Sequence, residues 1–323
     1  MEQICQICDV KSKLIDQINC YVEGGGYDIF QCPTCGCQFA IGDKSNLELI
    51  YNSIYKHSAQ IGGYDRYVRY LNEVKNKKSK AAINYLINEE DTYKYIYRYL
   101  NNMVNCRDLK ILEVGSGLGY FTYALSQDGF KILGIDLSED AVAKSTYAFG
   151  KLYKAVDFND IDERFDIIIL TEVIEHVSNP VQFLKDLKRV LVKGGEILLT
   201  TPRKHIDQTR AVWLTDLPPI HLFWFTTTSL QRIGSLVGLE FFEIDVKKKR
   251  LVFESKNNSK PSLTKNLLPK PRTKRTMSLK LKSIILHMSP LLIKRVYYKV
   301  VKKSDFIISE SHKTIFFGYR YKI

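Results

Sequence analysis

Apolar residues between positions 108 and 246 form short runs separated by polar stretches, which is typical of buried parallel strands that alternate with helices. The clearest runs are Ile111–Val114, Lys131–Ile135 and Phe165–Leu170. A helix is predicted at Tyr120–Gln127, directly after the first run. Two shorter strands are predicted as well, Tyr153–Val156 and Glu196–Thr201. The pattern therefore predicts an α/β domain.

Three glycines follow the first predicted strand at alternate positions, Gly115, Gly117 and Gly119. Because glycine has no Cβ, the backbone can adopt positive φ there and pass close to a ligand, which would also face the N–H groups of the following helix. The spacing is Glu113-x-Gly115-x-Gly117-x-Gly119, which differs from the G-x-G-x-x-G of nicotinamide-binding turns. Taken alone, such a turn also occurs in α/β proteins that bind nothing at this position.

Acidic residues follow the next predicted strands. Asp136 ends the second strand, about 20 residues past the first glycine, where an acid can accept hydrogen bonds from ribose hydroxyls. Asp157 and Phe158 follow the third strand. The fourth strand continues into TEVIEHVSNP at Thr171–Pro180, and VKGG at Val192–Gly195 precedes the fifth. The motif after strand four is predicted to lie at the edge of the sheet where open α/β folds bind their ligands.

In this order and spacing, the five motifs resemble those of the class I S-adenosylmethionine-dependent methyltransferases of type 11/23, over roughly residues 108–246. The resemblance implies S-adenosylmethionine as the cofactor. It also implies a Rossmann-like, seven-stranded sheet with helices on both faces. Leu239–Val246 would be the sixth strand and Thr314–Tyr321, within residues 314–323, the antiparallel seventh.

The same resemblance implies roles for single residues. The three glycines would accommodate the methionine part of the cofactor, Asp136 the ribose, and Asp157 with Phe158 the adenine. The residues implied to bind the cofactor are Glu113, Gly115, Gly117, Gly119, Tyr120, Asp136, Leu137, Asp157, Phe158, Thr171 and Glu172.

Six of the seven cysteines lie in the first 37 residues. Four of them form the pairs Cys5-x-x-Cys8 and Cys32-x-x-Cys35, a spacing that favours a tetrahedral, structural zinc site. Residues 1–42 therefore resemble a zinc ribbon, with a hairpin predicted from Gln17–Val22 and Tyr27–Gln31. Cys37 is a spare ligand candidate, whereas Cys20 is predicted to be a small apolar strand residue.

Residues 43–107 are rich in tyrosine, and helical spacing is clear at Ser79–Met103. In the family this region precedes the core and often caps the substrate cleft. A helical lid is therefore predicted, with Tyr64 or Tyr67 near the charged end of the cofactor. The alternative is that each tyrosine is half-buried against the core. The tyrosines concerned are Tyr51, Tyr55, Tyr64, Tyr67, Tyr70 and Tyr85.

His221 is the predicted general base. Its segment, His221–Thr226, resembles a segment of sugar and small-molecule methyltransferases in which a histidine faces the acceptor. An imidazole with a pKa of about 6.5 can take a proton from a hydroxyl at neutral pH. Glu175 and His176, in the motif after strand four, are supporting candidates. A structural role is the alternative for either histidine.

The ribbon and the His221 segment together resemble methyltransferases that modify sugars. The predicted reaction is therefore O-methylation of a sugar or glycan-linked acceptor, in bacterial cell-surface polysaccharide or related biosynthesis. Sugar C-methyltransferases have a Tyr/Glu/His cluster before this segment, and Leu217–Ile220 lacks it. Three alternatives remain open: a quinone or phenol O-methyltransferase, an RNA methyltransferase, and a non-enzymatic ribbon protein with a degenerate transferase core.

The net charge of +13 is unevenly distributed. Residues 247–303 contain 18 Lys and Arg residues but one acid, so the rest of the chain carries a net charge of −4. This distribution argues against a core that grips long nucleic acid. Within the predicted insertion, residues 247–313, a linker precedes two short amphipathic helices at Met277–Val301. Residues 277–303 could contact an anionic membrane, cover the sheet edge or form a dimer contact.

The N-terminus, MEQICQICDV, lacks the basic and apolar pattern of a secretion signal. No charge-free apolar run approaches the roughly 18 residues of a spanning helix. The predicted location is cytoplasmic, with peripheral attachment to the inner membrane surface as an option.

Overall fold

The computed structural model describes residues 2–19, 26–42, 64–202, 218–244 and 314–322, together with residues 54, 56 and 57. The predictions made for Cys20, Tyr51, Tyr55 and the basic insertion with its membrane contact lie outside these residues. Among the helices of these ranges, none combines the length and apolar character needed to cross a bilayer.

The N-terminal ribbon is an antiparallel sheet. Its strands are β1 at Gln3–Ile4, β2 at Lys11–Asn19, β3 at Gly26–Gln31 and β4 at Gln38–Gly42. The predicted hairpin is present, but its first strand starts earlier than predicted, and a bulge between Leu14 and Asp16 shifts its register.

Three helices precede the core: α1 at Asp65–Val74, α2 at Lys80–Glu89 and α3 at Asp91–Asn101. The helical spacing predicted over residues 79–103 is confirmed, but the segment is interrupted at Glu90, whose backbone is extended (φ −141°). The break brings the Glu90 carboxylate to the hydroxyl of Tyr70, which donates a hydrogen bond to it at 2.6 Å.

The core alternates strands and helices. It contains β5 at Lys110–Val114, α4 at Tyr120–Gln127, β6 at Lys131–Asp136, α5 at Glu139–Phe149, β7 at Tyr153–Ala155, β8 at Phe165–Thr171, α6 at Pro180–Leu187 and β9 at Leu191–Pro202. It continues with β10 at Phe223–Trp224, α7 at Thr227–Val237, β11 at Glu240–Glu243 and β12 at Thr314–Arg320.

Seven of these strands form one sheet in the order β11-β12-β9-β8-β5-β6-β7. Strand β12 is antiparallel to both of its neighbours, whereas the pairs from β9 to β7 are parallel. The predicted α/β fold with a seven-stranded sheet and an antiparallel last strand is therefore confirmed. Strand β9 differs from the prediction, because it begins at Leu191 and includes the glycine pair that was predicted as a turn.

Alternate residues of the central strands face opposite layers, as expected for a sheet covered on both sides. Ile111 and Ile167 pack with helices α1 to α4 in one cluster. Leu112 and Ile168 pack with α6, α7 and the ribbon in the other. The carboxyl ends of β5, β6 and β8 therefore emerge between two helical layers, at one edge of the sheet.

Strand β10 joins the two parts of the chain. It pairs with β4, so that Phe223 lies opposite Phe39, and it becomes the fifth strand of the ribbon sheet. Helix α7 follows directly, with a capping box formed by Thr226 and Ser229. The Thr226 hydroxyl also donates a hydrogen bond of 2.5 Å to the carbonyl oxygen of Cys35. The ribbon is thus held against the core by the segment that begins at His221.

Candidate active site

The glycine turn connects β5 to α4 and passes over the end of β6. Gly115, Gly117 and Gly119 all have positive φ, at 74°, 52° and 75°. The N–H of Gly117 donates to one carboxylate oxygen of Asp136 at 2.8 Å, and the N–H of Ser138 donates to the other at 2.9 Å. Asp136 is thus fixed beneath the turn, at the edge where a ribose would be held. Burial raises the pKa of its carboxyl, and these backbone hydrogen bonds act in the opposite direction.

A substitution at Gly119 would test the packing of the turn. A Cβ at this position would lie 2.6 Å from both the Ser145 side chain and the Tyr153 ring. We therefore expect Gly119→Ala to lower the free energy of unfolding by about 2 kcal/mol more than Gly150→Ala does. Gly150 has a similar φ of 89° but open space around it. Gly150→Ala therefore measures the cost of the backbone strain without any steric clash. Urea denaturation of both variants measures the difference, and equal losses would contradict the predicted packing of the turn.

Glu113 lies in β5, directly below the turn. Its carboxylate is buried and accepts a short hydrogen bond from the Thr122 hydroxyl of α4. Burial raises the pKa of Glu113 to about 7, and the Thr122 hydrogen bond opposes that shift. The nearby Asp136 carboxylate raises the pKa further, whereas a hydrogen bond from the Thr171 side chain lowers it. Glu113 therefore anchors the strand to the helix across the turn.

The raised pKa of Glu113 predicts a pH dependence of stability. The carboxyl titrates at about 7 in the folded chain, against an ordinary value of 4.5. A carboxyl shifted upward stabilises the fold fully below the unfolded value, and that contribution is lost as the pH rises through the folded value. Relative to Glu113→Gln, the wild-type free energy of unfolding should fall by roughly 3 kcal/mol at most between about pH 4.5 and pH 8. Urea titrations across this range test the prediction, and a constant difference would contradict it.

The residues predicted to hold the adenosine differ in exposure. Leu137 is 75% exposed directly after Asp136, so it offers an apolar surface at this edge of the sheet. Asp157 caps a short 3₁₀ turn by accepting hydrogen bonds from Asn159. Phe158 is buried, and its ring packs edge-on against Phe183 of α6. The adenine contacts of Asp157 and Phe158 stay predictions.

A cluster of tyrosines surrounds the start of α4. The ring of Tyr67 stacks on Tyr120 at 6.4 Å, and the hydroxyl of Tyr120 lies 2.9 Å from that of Tyr93. Tyr70 packs edge-on against Tyr120 at 5.5 Å. Tyr120 directly follows the glycine turn, so α1 reaches the site predicted for the cofactor. The lid function itself stays a prediction.

Arg66 was not identified from the sequence, although it lies between two of the tyrosines singled out there. Its guanidinium donates to the Tyr67 hydroxyl at 3.0 Å and lies 3.9 Å from the carboxylate of Glu172. It also lies 3.5 Å from the Glu90 carboxylate. Arg66 therefore brings a positive charge from α1 to the end of β8. No sequence signal separates it from neighbouring Arg69, whose side chain is about half exposed.

The chain turns sharply after β8. Glu172 has a φ of 55°, in the left-handed region that is uncommon for residues other than glycine. Its N–H donates to the carbonyl oxygen of Thr200 at 3.1 Å, which keeps the turn next to β9. Val173 then covers the glycine turn, because a Cβ on Gly115 would lie 2.7 Å from its Cγ2 atom. The motif after strand four therefore directly contacts the predicted cofactor turn.

Glu175, His176 and His221 come together at this edge. The two imidazole rings lie 4.6 Å apart at an angle of 84°. Glu175 is fully buried, and one of its carboxylate oxygens accepts a hydrogen bond from the Thr201 hydroxyl at 3.1 Å. Burial lowers the pKa of both histidines, and the neighbouring His176 lowers that of His221 further. The structure therefore unites the three residues predicted for catalysis.

The four paired cysteines of the ribbon also come together. The ligand atoms of Cys5, Cys8, Cys32 and Cys35 lie within 4.8 Å of one another. The Cys5 and Cys35 sulfurs are 3.9 Å apart, close to the roughly 3.8 Å that tetrahedral Zn–S bonds of 2.3 Å require. The N–H of Cys35 points to the Cys32 sulfur at 3.5 Å, as expected of a ligand-bearing turn. The arrangement fits the predicted zinc site, with Cys37 outside the group.

The seven-stranded sheet with its antiparallel strand β12 is the sheet that the resemblance to class I methyltransferases implies. A family model described as "Methyltransferase domain" matches residues 64–244, and the chain belongs to this family of S-adenosylmethionine-dependent methyltransferases. Similar solved structures include a S-adenosylmethionine-dependent methyltransferase from Mesorhizobium loti (15% identity, 70% of this chain, 97% of that chain, TM-score 0.42). They also include magnesium protoporphyrin IX methyltransferase from Synechocystis PCC 6803 with bound S-adenosylhomocysteine (15% identity, 61% of this chain, 90% of that chain, TM-score 0.44).

Curated relatives include ubiquinone biosynthesis O-methyltransferases. The protein from Bradyrhizobium diazoefficiens is 33% identical over 106 residues, which are 30% of this chain and 42% of the relative. The one from Rickettsia bellii is 29% identical over 147 residues, which are 43% of this chain and 59% of the relative. The matches thus span about half the length of these relatives.

Proposed function

We propose that the protein transfers the methyl group of S-adenosylmethionine to a hydroxyl oxygen of a small acceptor. The observation that carries this proposal is the cluster of Glu175, His176 and His221 at the end of β8, in a motif whose Val173 contacts the glycine turn. A donor held at the turn and an acceptor held at the cluster would be neighbours. The sulfonium already activates the methyl group, so alignment and removal of one proton are what the protein must add.

Each residue has a proposed part in holding the donor. The glycine turn receives the methionine portion, Asp136 accepts hydrogen bonds from the ribose hydroxyls, and exposed Leu137 packs on the adenine. Arg66 supplies the positive charge for the methionine carboxylate, since its guanidinium lies between α1 and the end of β8. The tyrosines around Tyr120 exclude water from this end of the site. The ribbon's four cysteines hold a structural zinc ion.

The two curated relatives described above favour a phenol or quinol as the acceptor, because both are named for ubiquinone biosynthesis. A sugar or glycan acceptor is the second candidate. It is supported by the resemblance of the ribbon and the His221 segment to sugar methyltransferases. Both acceptor classes offer a hydroxyl oxygen, so the reaction is the same.

Labelled methyl transfer tests this proposal. The protein is incubated with S-adenosylmethionine carrying a labelled methyl group and with two acceptor sets, catechols and prenylated phenols in one, free and nucleotide-linked sugars in the other. We expect label in a phenolic product, and we expect Glu175→Gln to lose that transfer. Glu243→Gln, at an exposed position of β11, is the matched control. Label in sugars alone would move the assignment to the second candidate, and label in neither set would overturn O-methylation of small hydroxyl acceptors.

A further inference from the structure

The cluster of Glu175, His176 and His221 has a composition that suits a metal ion as well as proton transfer. One ligand atom from each side chain lies within 4.8 Å of the other two. Two imidazole nitrogens and one carboxylate oxygen form a ligand set that binds divalent transition metals, with other coordination positions left open. Around an ion these atoms would be roughly 3 Å apart, a separation that small side-chain rotations can provide.

Hydrogen bonds to neighbouring groups orient two of these side chains, His176 and Glu175. The Nδ1 atom of His176 lies 2.8 Å from the carbonyl oxygen of Ile220. A carbonyl only accepts hydrogen bonds, so Nδ1 carries the proton in the neutral ring, and Nε2 is the nitrogen that would bind a cation. The Thr201 hydroxyl holds one oxygen of Glu175 at 3.1 Å. Backbone carbonyls and hydroxyls behind the ligands are typical of metal sites, where they fix the tautomer and the orientation.

Backbone contacts also bring the third ligand to the other two. The carbonyl oxygen of Glu175 accepts hydrogen bonds from the N–H groups of Leu222 and Phe223, at 2.8 and 3.1 Å. His221 directly precedes these residues, so the segment is fastened to the motif after β8. Glu175 and His221 are buried, whereas His176 is only partly buried, so the cluster keeps a side that an acceptor can reach. A cation would also place positive charge beside the fully buried carboxylate of Glu175.

We propose that Glu175, His176 and His221 bind one divalent cation, which the acceptor's hydroxyl oxygen joins as a further ligand. This proposal rests on the function proposed above and adds how the acceptor is activated. The bound cation lowers the pKa of the hydroxyl, so its proton passes to water. The oxygen then forms the new bond to the methyl carbon. The S–CH₃ bond breaks with its electron pair left on sulfur, which gives S-adenosylhomocysteine. An acceptor with two adjacent oxygens, a catechol or a vicinal diol, would bind best.

Cobalt(II) is the probe for this site. The full chain, with its ribbon zinc retained and verified by elemental analysis, is dialysed against a weak chelator and titrated with Co²⁺. We expect one Co²⁺ per chain, with visible absorption of a nitrogen and oxygen site. Glu175→Gln and His221→Ala should weaken that binding at least about tenfold. Glu243→Gln should bind Co²⁺ as the wild type does.

Proton NMR of the wild-type cobalt form supplies a readout that needs no variant. Two exchangeable, hyperfine-shifted imidazole signals are expected, because two histidines are ligands, whereas the ribbon group contains only cysteines. Absence of Co²⁺ beyond the zinc content, or equal binding by the wild type and Glu175→Gln, would overturn the cation site and leave direct proton transfer to a histidine. Calorimetry with S-adenosylhomocysteine is measured separately, so failure of the cation site is distinguishable from failure of the methyltransferase assignment.

Discussion

Replacement of Cys32 by serine is expected to remove zinc from the ribbon and to lower methyl transfer by roughly 100-fold. A structural zinc site contributes on the order of 10 kcal/mol to the folding of a small domain, so loss of one thiolate ligand should unfold the ribbon. Strand β10 belongs to the ribbon sheet, and His221 is two residues before it. An error of about 1 Å in the position of a group at the active site can cost roughly 100-fold in rate.

A measurement of cofactor binding distinguishes unfolding of the ribbon alone from unfolding of the whole chain. Asp136 and the glycine turn lie in the core, so Cys32→Ser should bind S-adenosylhomocysteine within about threefold of the wild type. Cys37→Ala is the matched control, because Cys37 is equally buried in the ribbon but lies outside the four-sulfur group. It should keep its zinc and its activity. Loss of zinc from Cys37→Ala would contradict the four-cysteine zinc site, and full activity in zinc-free Cys32→Ser would contradict the proposed support of His221 by the ribbon.

Asp136→Ala is expected to weaken S-adenosylmethionine binding by roughly 100-fold or more. A hydrogen bond to a charged group contributes about 1.5–3 kcal/mol, and the substitution removes the acceptor of the ribose hydroxyls. It also releases the N–H groups of Gly117 and Ser138, which Asp136 now holds at 2.8 and 2.9 Å. The turn that receives the methionine portion would therefore lose its support. Isothermal titration calorimetry measures the dissociation constant.

Two further variants identify the cause of that loss. Asp136→Asn keeps one oxygen acceptor and should lose less affinity than Asp136→Ala. Asp140 lies nearby in the first turn of α5 but is exposed, and Asp140→Ala should bind the cofactor like the wild type. Unchanged affinity in Asp136→Ala would show that the acid at the end of β6 does not hold the cofactor.

The central sheet was predictable because its strands are buried on both faces and appear as continuous apolar runs. The ends of the strands were less predictable. Residues 192–195 contain two glycines and suggest a turn, yet β9 includes them, and Gly194 has a φ of 81° within it. The sheet tolerates this irregularity because the N–H of Gly194 donates to the carbonyl oxygen of Tyr321 instead.

The candidate site was predictable where one short segment carries the chemistry, as in the glycine turn, and not where distant segments meet. Strand β10 has two residues, so its pairing with the ribbon leaves no periodic signal. The bond from Thr226 to Cys35 joins residues 191 positions apart. The position of Arg66 is equally difficult to predict from the sequence, because it depends on how α1 packs against the start of α4. Tertiary contacts decide both features.

The most direct test is a calorimetric titration of the full chain with S-adenosylmethionine and with S-adenosylhomocysteine. We expect one binding site per chain for each compound, with competition between them. We also expect the heat of binding to be lost in Asp136→Ala and retained in Asp140→Ala. Absence of binding by either compound to folded, zinc-containing protein would contradict the assignment of a methyltransferase site to the glycine turn.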